Sequence, residues 1–386
     1  MGSFFDLSVS FQSKKRILDE IELIIDKHQF IMGPHVANLE TNLQEYTGAR
    51  HCVTCASGTD ALILALLAAN VRPGDKVITT PFTFAATAEA IAFIGAIPIF
   101  CDIDIDTFNL SPKYLDYMLS ITPKNEKPKA IIAVDLFGLP AEWDRINEIA
   151  IRHGMITTIA DAAQSFGAAI GKAKVGTLAD ITCTSFFPTK PLGCFGDGGA
   201  VFTDFDIIAE KIRALRVHGS TGKKYHHQFI GMNSRLDTIQ AAVLIEKLKF
   251  VDHQRKQRKK FAELYGKVLQ ANGFPPQKIH TGFTSAYSIF SFRTPWRDIM
   301  QTELEAAGIQ TAIYYPIPLH EQGAYAQFAP KDPAALGSAE SVSRSILSLP
   351  IGGADGFGQT IETRSKLKTI CQTFMSKDFK KERGIK

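Results

Sequence analysis

Between residues 50 and 205, short β-branched apolar runs alternate with stretches of helical periodicity, the pattern of a mainly parallel sheet covered on both faces. Seven runs read as strands, at 52–55, 76–80, 97–101, 130–134, 156–160, 181–185 and 200–203. Residues 60–70 are apolar almost all round, as suits a helix packed inside the protein, and Arg72-Pro73-Gly74-Asp75 turns the chain into the next strand. From about Thr238 the pattern becomes helical, and 239–269 reads as one long or broken helix with a charged outer face that links two domains. Beyond it, 285–293 alternates like a strand, 298–307 reads as a helix ended by Gly308, and a loop rich in Pro and Gly follows from Tyr315. The expected fold class is α/β: a large domain over 1–245 built on a mainly parallel seven-stranded sheet, and a smaller C-terminal α+β domain over 246–386.

Composition narrows the partners. At 386 residues, 45% hydrophobic and 21% charged, the chain has the make-up of an ordinary soluble protein that can bury a full core. The formal charge of +4 comes largely from 247–260 and the tail 377–386, which read as a solvated helix face and a terminus rather than a nucleic-acid surface. The start MGSFFDLSVSF lacks the basic and apolar regions of a signal peptide, and no window approaches the roughly 18 apolar residues of a membrane span. The expectation is a cytoplasmic protein with no membrane or nucleic-acid partner. Cys52 and Cys55 form a C-x-x-C, but no second pair exists to complete a zinc site, so the six cysteines read as small buried hydrophobes and no metal is expected. The adjacent His226 and His227 read as surface polar sequence.

Three features fall where an α/β sheet presents its binding crevice, outside the carboxyl ends of the strands. Ser57-Gly58-Thr59 stands between a strand and the apolar helix, where amides at a helix N-terminus, the helix dipole and two hydroxyls suit a phosphate; the same tripeptide can serve as a plain N-cap. Asp161 follows the strand 156–160, with Gln164 and Ser165 after it. A carboxylate there could pair with a protonated pyridine nitrogen, or could cap a helix. The third feature is Ser185-Phe-Phe-Pro-Thr-Lys190 with the glycine-rich Pro191–Gly199 behind it. A lysine in an uncharged, glycine-rich loop past a strand end is not placed like a surface lysine, and desolvation lowers its pKa towards that of a usable nucleophile. G-x-x-G-x-G at 193–198 is not followed by a strand-to-helix transition, which argues against a dinucleotide fingerprint.

Together these features resemble the fold type I pyridoxal-phosphate enzymes, and more narrowly the DegT/DnrJ/StrS-type aminotransferases of nucleotide-linked keto sugars. The resemblance runs through FIMGPHVANLE (30–40), ASGTDAL (56–62), PFTFAATAEA (81–90), DIDIDTFNL (102–110), DAAQSFGA (161–168), SFFPTKPLGCFGDGGA (185–200), RVHGS (216–220), MNSRLDTIQAA (232–242) and YYPIPLHEQ (314–322). It implies an aspartate aminotransferase-like fold and pyridoxal 5′-phosphate as cofactor. Lys190 would hold the cofactor covalently, Asp161 its pyridine nitrogen and Gln164 its ring hydroxyl, with Phe84 stacked on the ring and Gly58, Thr59 and Ser185 on the phosphate. Asn233 would reach the phosphate from the neighbouring subunit, making the functional unit a homodimer with shared sites, while Arg235, Tyr314, Tyr315 and His320 would lie near the nucleotide sugar.

Relatives that keep the lysine are aminotransferases and dehydratase relatives carry histidine there, so Lys190 implies amino transfer, with L-glutamate the expected donor. The segments around Lys190 and KKYHHQFIGMNSRLDT (223–238) are most similar to the subgroup acting at C3 of a UDP-linked 2-acetamido-3-keto-hexuronic acid for bacterial surface polysaccharide, with Arg235 the candidate for the sugar carboxylate. The alternatives are amination of a dTDP-, GDP- or UDP-linked 4-keto-6-deoxy sugar, a regulatory relative without turnover, and a nucleotide-binding module built on Ser57-Gly58-Thr59.

Overall fold

A computed structural model of the chain describes residues 4–5, 7–222, 225–351 and 357–375; the basic tail 377–386 and Lys223 and Lys224 of the KKYHHQ segment lie outside the described residues. All seven expected strands form. They are β1 (His51–Cys55), β2 (Lys76–Thr79), β3 (Ile97–Phe100), β4 (Ala130–Val134), β5 (Thr157–Asp161), β8 (Ile181–Ser185) and β9 (Gly199–Thr203), joined in the order β1-β9-β8-β5-β4-β2-β3. The small strands β6 (Ala169–Ile170) and β7 (Ala173–Lys174) form a separate hairpin beside β10 (Phe283–Thr284). Within the large sheet β9 runs antiparallel to both neighbours, while β8, β5, β4, β2 and β3 are mutually parallel. The carboxyl ends of β1, β8, β5, β4 and β2 therefore share one edge of the sheet.

Both sheet faces are covered, and the strand residues show why. Along β4, Ala130 and Ile132 pack into the core that holds helix Gly58–Ala68, whereas Ile131 and Ala133 pack into the opposite core with Leu115, Trp143 and Ile146. Side chains alternate across a strand, so a strand apolar at every position has to be covered twice. Helix Gly58–Ala68 buries seven residues in a row or nearly so, from Ala61 to Leu66 with Ala68, at about 1.5–3 kcal/mol for each large aliphatic side chain. This rigid helix presents its N-terminus at the carboxyl edge.

The helical stretch expected at 239–269 is broken, into Thr238–Leu248 and Val251–Ala271 with Phe250 between them. The second helix packs with helix Phe357–Met375 and with the two-stranded sheet β11 (Phe290–Arg293) and β12 (Ile346–Leu349) around Phe261, Tyr265, Phe292, Leu347 and Leu367. The expected strand 285–293 is thus corrected to β11 alone, because the amides of Ala286 and Ser288 donate to the carbonyls of Gly138 and Phe137, and that of Tyr287 turns back to Ser285 Oγ. All six cysteines are free and buried, and burial pushes the Cys52 thiol well above its ordinary range. Among the described residues no helix is long and apolar enough to cross a membrane.

Candidate active site

The carboxyl edge of the sheet assembles residues that the sequence holds far apart. β1 ends at Cys55, and Ser57 caps the following helix by accepting from the Asp60 amide at 3.0 Å, so the N-cap reading holds for Ser57. That bond settles one first-turn amide and leaves those of Gly58 and Thr59 without an intrahelical acceptor. Gly58 faces the end of β8 so closely that a Cβ would stand 2.6 Å from Ser185 Cβ. At Gly199 a Cβ would meet the Ser57 carbonyl at 2.3 Å, so β9 also presses on this turn. The three phosphate candidates Gly58, Thr59 and Ser185 are thereby brought together.

Asp161 is the last residue of β5 and is only 6% exposed. No helix follows it: residues 163–167 form a turn, so the helix-cap alternative falls. Its Oδ2 accepts from Thr87 Oγ1 at 2.7 Å and its Oδ1 from the Ala163 amide at 3.3 Å. Burial raises the Asp161 carboxyl above the ordinary range, against the pull of Thr87, Ala163 and the Lys190 charge. Lys190 lies in the bend after β8, half-buried, with its amide bonded to the Phe187 carbonyl at 2.9 Å. Burial lowers its ammonium pKa and Asp161 partly opposes this. A lysine so placed loses its proton more readily than a solvated one, as a nucleophilic amine requires.

Gln164, also buried, accepts from the Phe137 amide at 2.7 Å and donates to the Tyr315 hydroxyl at 3.3 Å. Phe84 is 59% exposed beside this cluster, with its ring 6.4 Å from that of Tyr315. The segment that carries Tyr315 is fastened by the Leu319 amide to the Pro81 carbonyl at 2.9 Å. Tyr314 packs near Phe4, 6.1 Å between rings, and His320 is buried with Nε2 3.4 Å from Glu340. Glu321 comes within 4.8 Å of that pair.

Asn233 is exposed and Arg235 half-buried, and no hydrogen bond or ion pair joins either to Lys190, Asp161 or Gln164 among the described residues. Ser234 between them is fully buried and accepts from the Ala56 amide at 3.2 Å, which anchors this loop beside the turn at Gly58.

Three participants escape a reading of the sequence. Thr87 holds Asp161, with Thr83 in turn 3.0 Å from Thr87; its signal was the i, i+4 threonine pair just past β2. Asp135 follows β4 as Asp161 ends β5, a parallel that was visible, and it accepts from the Ala141 amide (2.8 Å), Trp143 Nε1 (2.9 Å) and Ser165 Oγ (2.8 Å). Ser234 gave no signal.

A buried carboxylate at a strand end, an amine of lowered pKa, an exposed aromatic ring and a helix N-terminus thus gather at the carboxyl edge of the sheet. The sequence profile of the DegT/DnrJ/EryC1/StrS aminotransferase family matches residues 12–354. The chain is 43% identical over 355 residues to the UDP-2-acetamido-2-deoxy-3-oxo-D-glucuronate aminotransferase of Pseudomonas aeruginosa, covering 91% of this chain and 95% of that protein. It is also 43% identical over 354 residues to a pleiotropic regulatory protein of Geobacillus stearothermophilus, covering 90% and 92%. The crystal structure of a DegT DnrJ EryC1 StrS aminotransferase from Brucella abortus superposes with a TM-score of 0.91 at 38% identity, over 98% of this chain and all of that one. The site described above is therefore that of a protein which belongs to the DegT/DnrJ/EryC1/StrS aminotransferase family.

Proposed function

We propose that the chain transfers the amino group of L-glutamate to C3 of UDP-2-acetamido-2-deoxy-3-keto-glucuronic acid, in a pyridoxal 5′-phosphate-dependent reaction serving bacterial surface polysaccharide. The observation that carries the chemistry is Asp161: a carboxylate buried at 6% exposure that receives a hydroxyl and an amide but no ion-pair cation among the described residues. Such a group is costly unless a cation meets it, and a protonated pyridine nitrogen is that cation. The exposed Phe84 ring, the Gln164 amide, and the Gly58-Thr59 helix start with Ser185 supply the remaining complementarity for ring and phosphate. Pyridoxal 5′-phosphate is the cofactor of this aminotransferase family, and these residues fit it.

When bound, the cofactor supplies an electron sink for the charge that develops on the donor α-carbon. The residues of this chain do the rest. Asp161 keeps the ring nitrogen protonated, and Thr87 keeps Asp161 ionised. Lys190 Nζ, its proton affinity reduced by burial, would hold the cofactor between turnovers and, once the donor amine has displaced it, would be the free base that takes and returns the donor α-proton. The sugar assignment rests on the Pseudomonas aeruginosa relative; a uronate needs a cation, and Arg235 can meet its carboxylate bidentately. Tyr314, Tyr315 and His320 line the sugar side. We infer further that the unit is a homodimer in which Asn233 and Arg235, on the loop that Ser234 anchors, complete the partner's site; the exposure of Asn233 supports this.

The test is incubation of purified protein with glutamate and a panel of nucleotide keto sugars, with borohydride trapping and mass mapping of the cofactor adduct. Amination of the 3-keto-glucuronate with the adduct at Lys190 is expected. An adduct on another lysine sinks the chemistry, and turnover of only a 4-keto-6-deoxy sugar sinks the substrate.

A further inference from the structure

The turn that follows β4, residues 136–139, carries the amide that holds Gln164. Phe137 sits there in the left-handed region at φ 61°, a conformation that a bulky residue keeps only where its surroundings impose it. Asn109, 2% exposed and just ahead of helix Pro112–Ile121, imposes it: Oδ1 accepts from the Leu136 amide and Nδ2 donates to the Leu139 carbonyl, both at 2.9 Å. One side-chain amide thus closes both ends of the turn. The carbonyls between those ends are met from elsewhere, that of Leu136 by Gln277 Nε2 at 3.0 Å, that of Phe137 by the Ser288 amide at 3.1 Å and that of Gly138 by the Ala286 amide at 2.8 Å. The Phe137 amide is left to Gln164 Oε1, at 2.7 Å.

A backbone N–H can only donate, so it selects the oxygen end of the Gln164 amide. With Oε1 held there, Nε2 is turned the other way and donates to the Tyr315 hydroxyl at 3.3 Å. An amide nitrogen carries two hydrogens, so Nε2 has a second to offer. We propose that Asn109 is a positioning residue of the amino transfer: by closing the turn at 136–139 it fixes the Phe137 amide, and so directs the Gln164 Nε2 donor to the ring oxygen of the cofactor. The proposal rests on the reading of Gln164 as the partner of that oxygen. Asn109 acts through the turn and not by contact with the ring, and its place 28 residues before Phe137 hides the connection in the sequence.

Two measurements test it, one without the cofactor. In the apoprotein, Asn109→Ala should speed hydrogen exchange of the amides at 136–139 by about tenfold or more, the loss of two buried hydrogen bonds. In the holoprotein, a donor to the ring oxygen favours its anionic form, so weakening that donor should raise the pH midpoint of the visible cofactor band. Gln164→Ala should raise it by about half a pH unit or more, and Asn109→Ala should raise it in the same direction. Added to Gln164→Ala, Asn109→Ala should shift the midpoint no further, because the two act on one donor. A clamp that served folding alone would lower Tm and leave the midpoint in place. Unchanged exchange in Asn109→Ala overturns the proposal, as does a wild-type midpoint in that variant while Gln164→Ala shifts, or an equal shift with and without Gln164. If Asn109→Ala does not fold, Asn109→Ser decides, since one short hydroxyl cannot bridge both ends of the turn: wild-type exchange and midpoint there overturn it. If Gln164→Ala itself leaves the midpoint unmoved, the reading of Gln164 falls and the role of Asn109 falls with it.

Discussion

Replacing Thr87 by valine tests whether Asp161 depends on a residue that no motif singles out. Valine keeps the shape of threonine and removes only the hydroxyl, which donates to Asp161 Oδ2 at 2.7 Å inside a fully buried pocket. A hydrogen bond to a charged acceptor contributes about 1.5–3 kcal/mol, and its loss falls on the ionised form alone. Burial already raises the Asp161 carboxyl, and the Thr87 bond is the largest influence holding it down. At 1.36 kcal/mol per pH unit, removing it should move the acid limb of the kcat/KM profile upward by about one pH unit or more. The sign is fixed: below that limb Asp161 is protonated and cannot keep a ring nitrogen charged, so Thr87→Val loses activity first at low pH and recovers as pH rises. Thr87→Ser, which keeps a donor, should track the wild type. Rates from pH 5 to 9 at saturating cofactor, with circular dichroism for folding, make the measurement. A Thr87→Val profile that overlays the wild type refutes the dependence and returns Thr87 to packing.

Lys190→Ala should abolish transfer while leaving the fold and reversible cofactor binding intact, since the proposed ring and phosphate contacts come from other residues; a tenth of wild-type turnover would show that another group moves the proton. Gly58→Ala puts a methyl 2.6 Å from Ser185 Cβ, and overpacking of that kind costs about 1–3 kcal/mol, to be read from the urea midpoint together with weaker cofactor affinity. An unchanged midpoint and affinity would show that the two segments separate freely. Burial pushes the Asp135 carboxyl up to about 7 from an ordinary 3.8, so the folded chain binds this proton more tightly than the unfolded one. Its contribution is present in full below about pH 4 and is lost as pH rises through 7, roughly 4 kcal/mol in all. Asp135→Asn should flatten the fall of Tm over that range, and parallel wild-type and variant curves would count against it. Mixed Lys190→Ala and Arg235→Ala chains, each nearly inactive alone, should regain activity through heterodimers with one intact site. Exchange of subunits without recovery would mean that sites are not shared.

The seven strands were legible because each is a short β-branched run bounded by turn residues, and a doubly covered sheet needs only apolar runs. The paired strands β6 and β7 were not, since two residues carry no period. Helix Phe11–Asp26 escaped notice for another reason: Ile17 and Ile24 are buried, but Leu18, Leu23 and Ile25 are exposed, which blurs the apolar face. In the long helical stretch the periodicity passed through the break at Phe250 without a Pro or Gly to mark it. Within the site, Lys190 and Asp161 stood out because each ends or follows a strand inside a distinctive local run. Thr87 lies 74 residues from the carboxylate it supports, and Gln164 lies 151 residues from the Tyr315 hydroxyl to which it donates. Such pairings exist only after folding.

Position alone does not separate a chemical carboxylate from a structural one, as the two aspartates at the ends of β4 and β5 show. Val134 stands in register with Asp161, so Asp135 and Asp161 emerge from neighbouring parallel strands at nearly the same level, both buried and both raised by burial. Their hydrogen bonds divide them. Asp135 takes three donors at 2.8 to 2.9 Å, one of them the Trp143 indole, and so ties β4 to the turn at Ala141 and to Ser165. Its acceptor capacity goes into holding the chain together. Asp161 takes one short donor and one long one, and the charge that most affects it beyond them is that of Lys190. A buried carboxylate left short of donors and facing an amine is costly unless something cationic completes it, and that shortfall supports Asp161, rather than Asp135, as the partner proposed for the ring nitrogen.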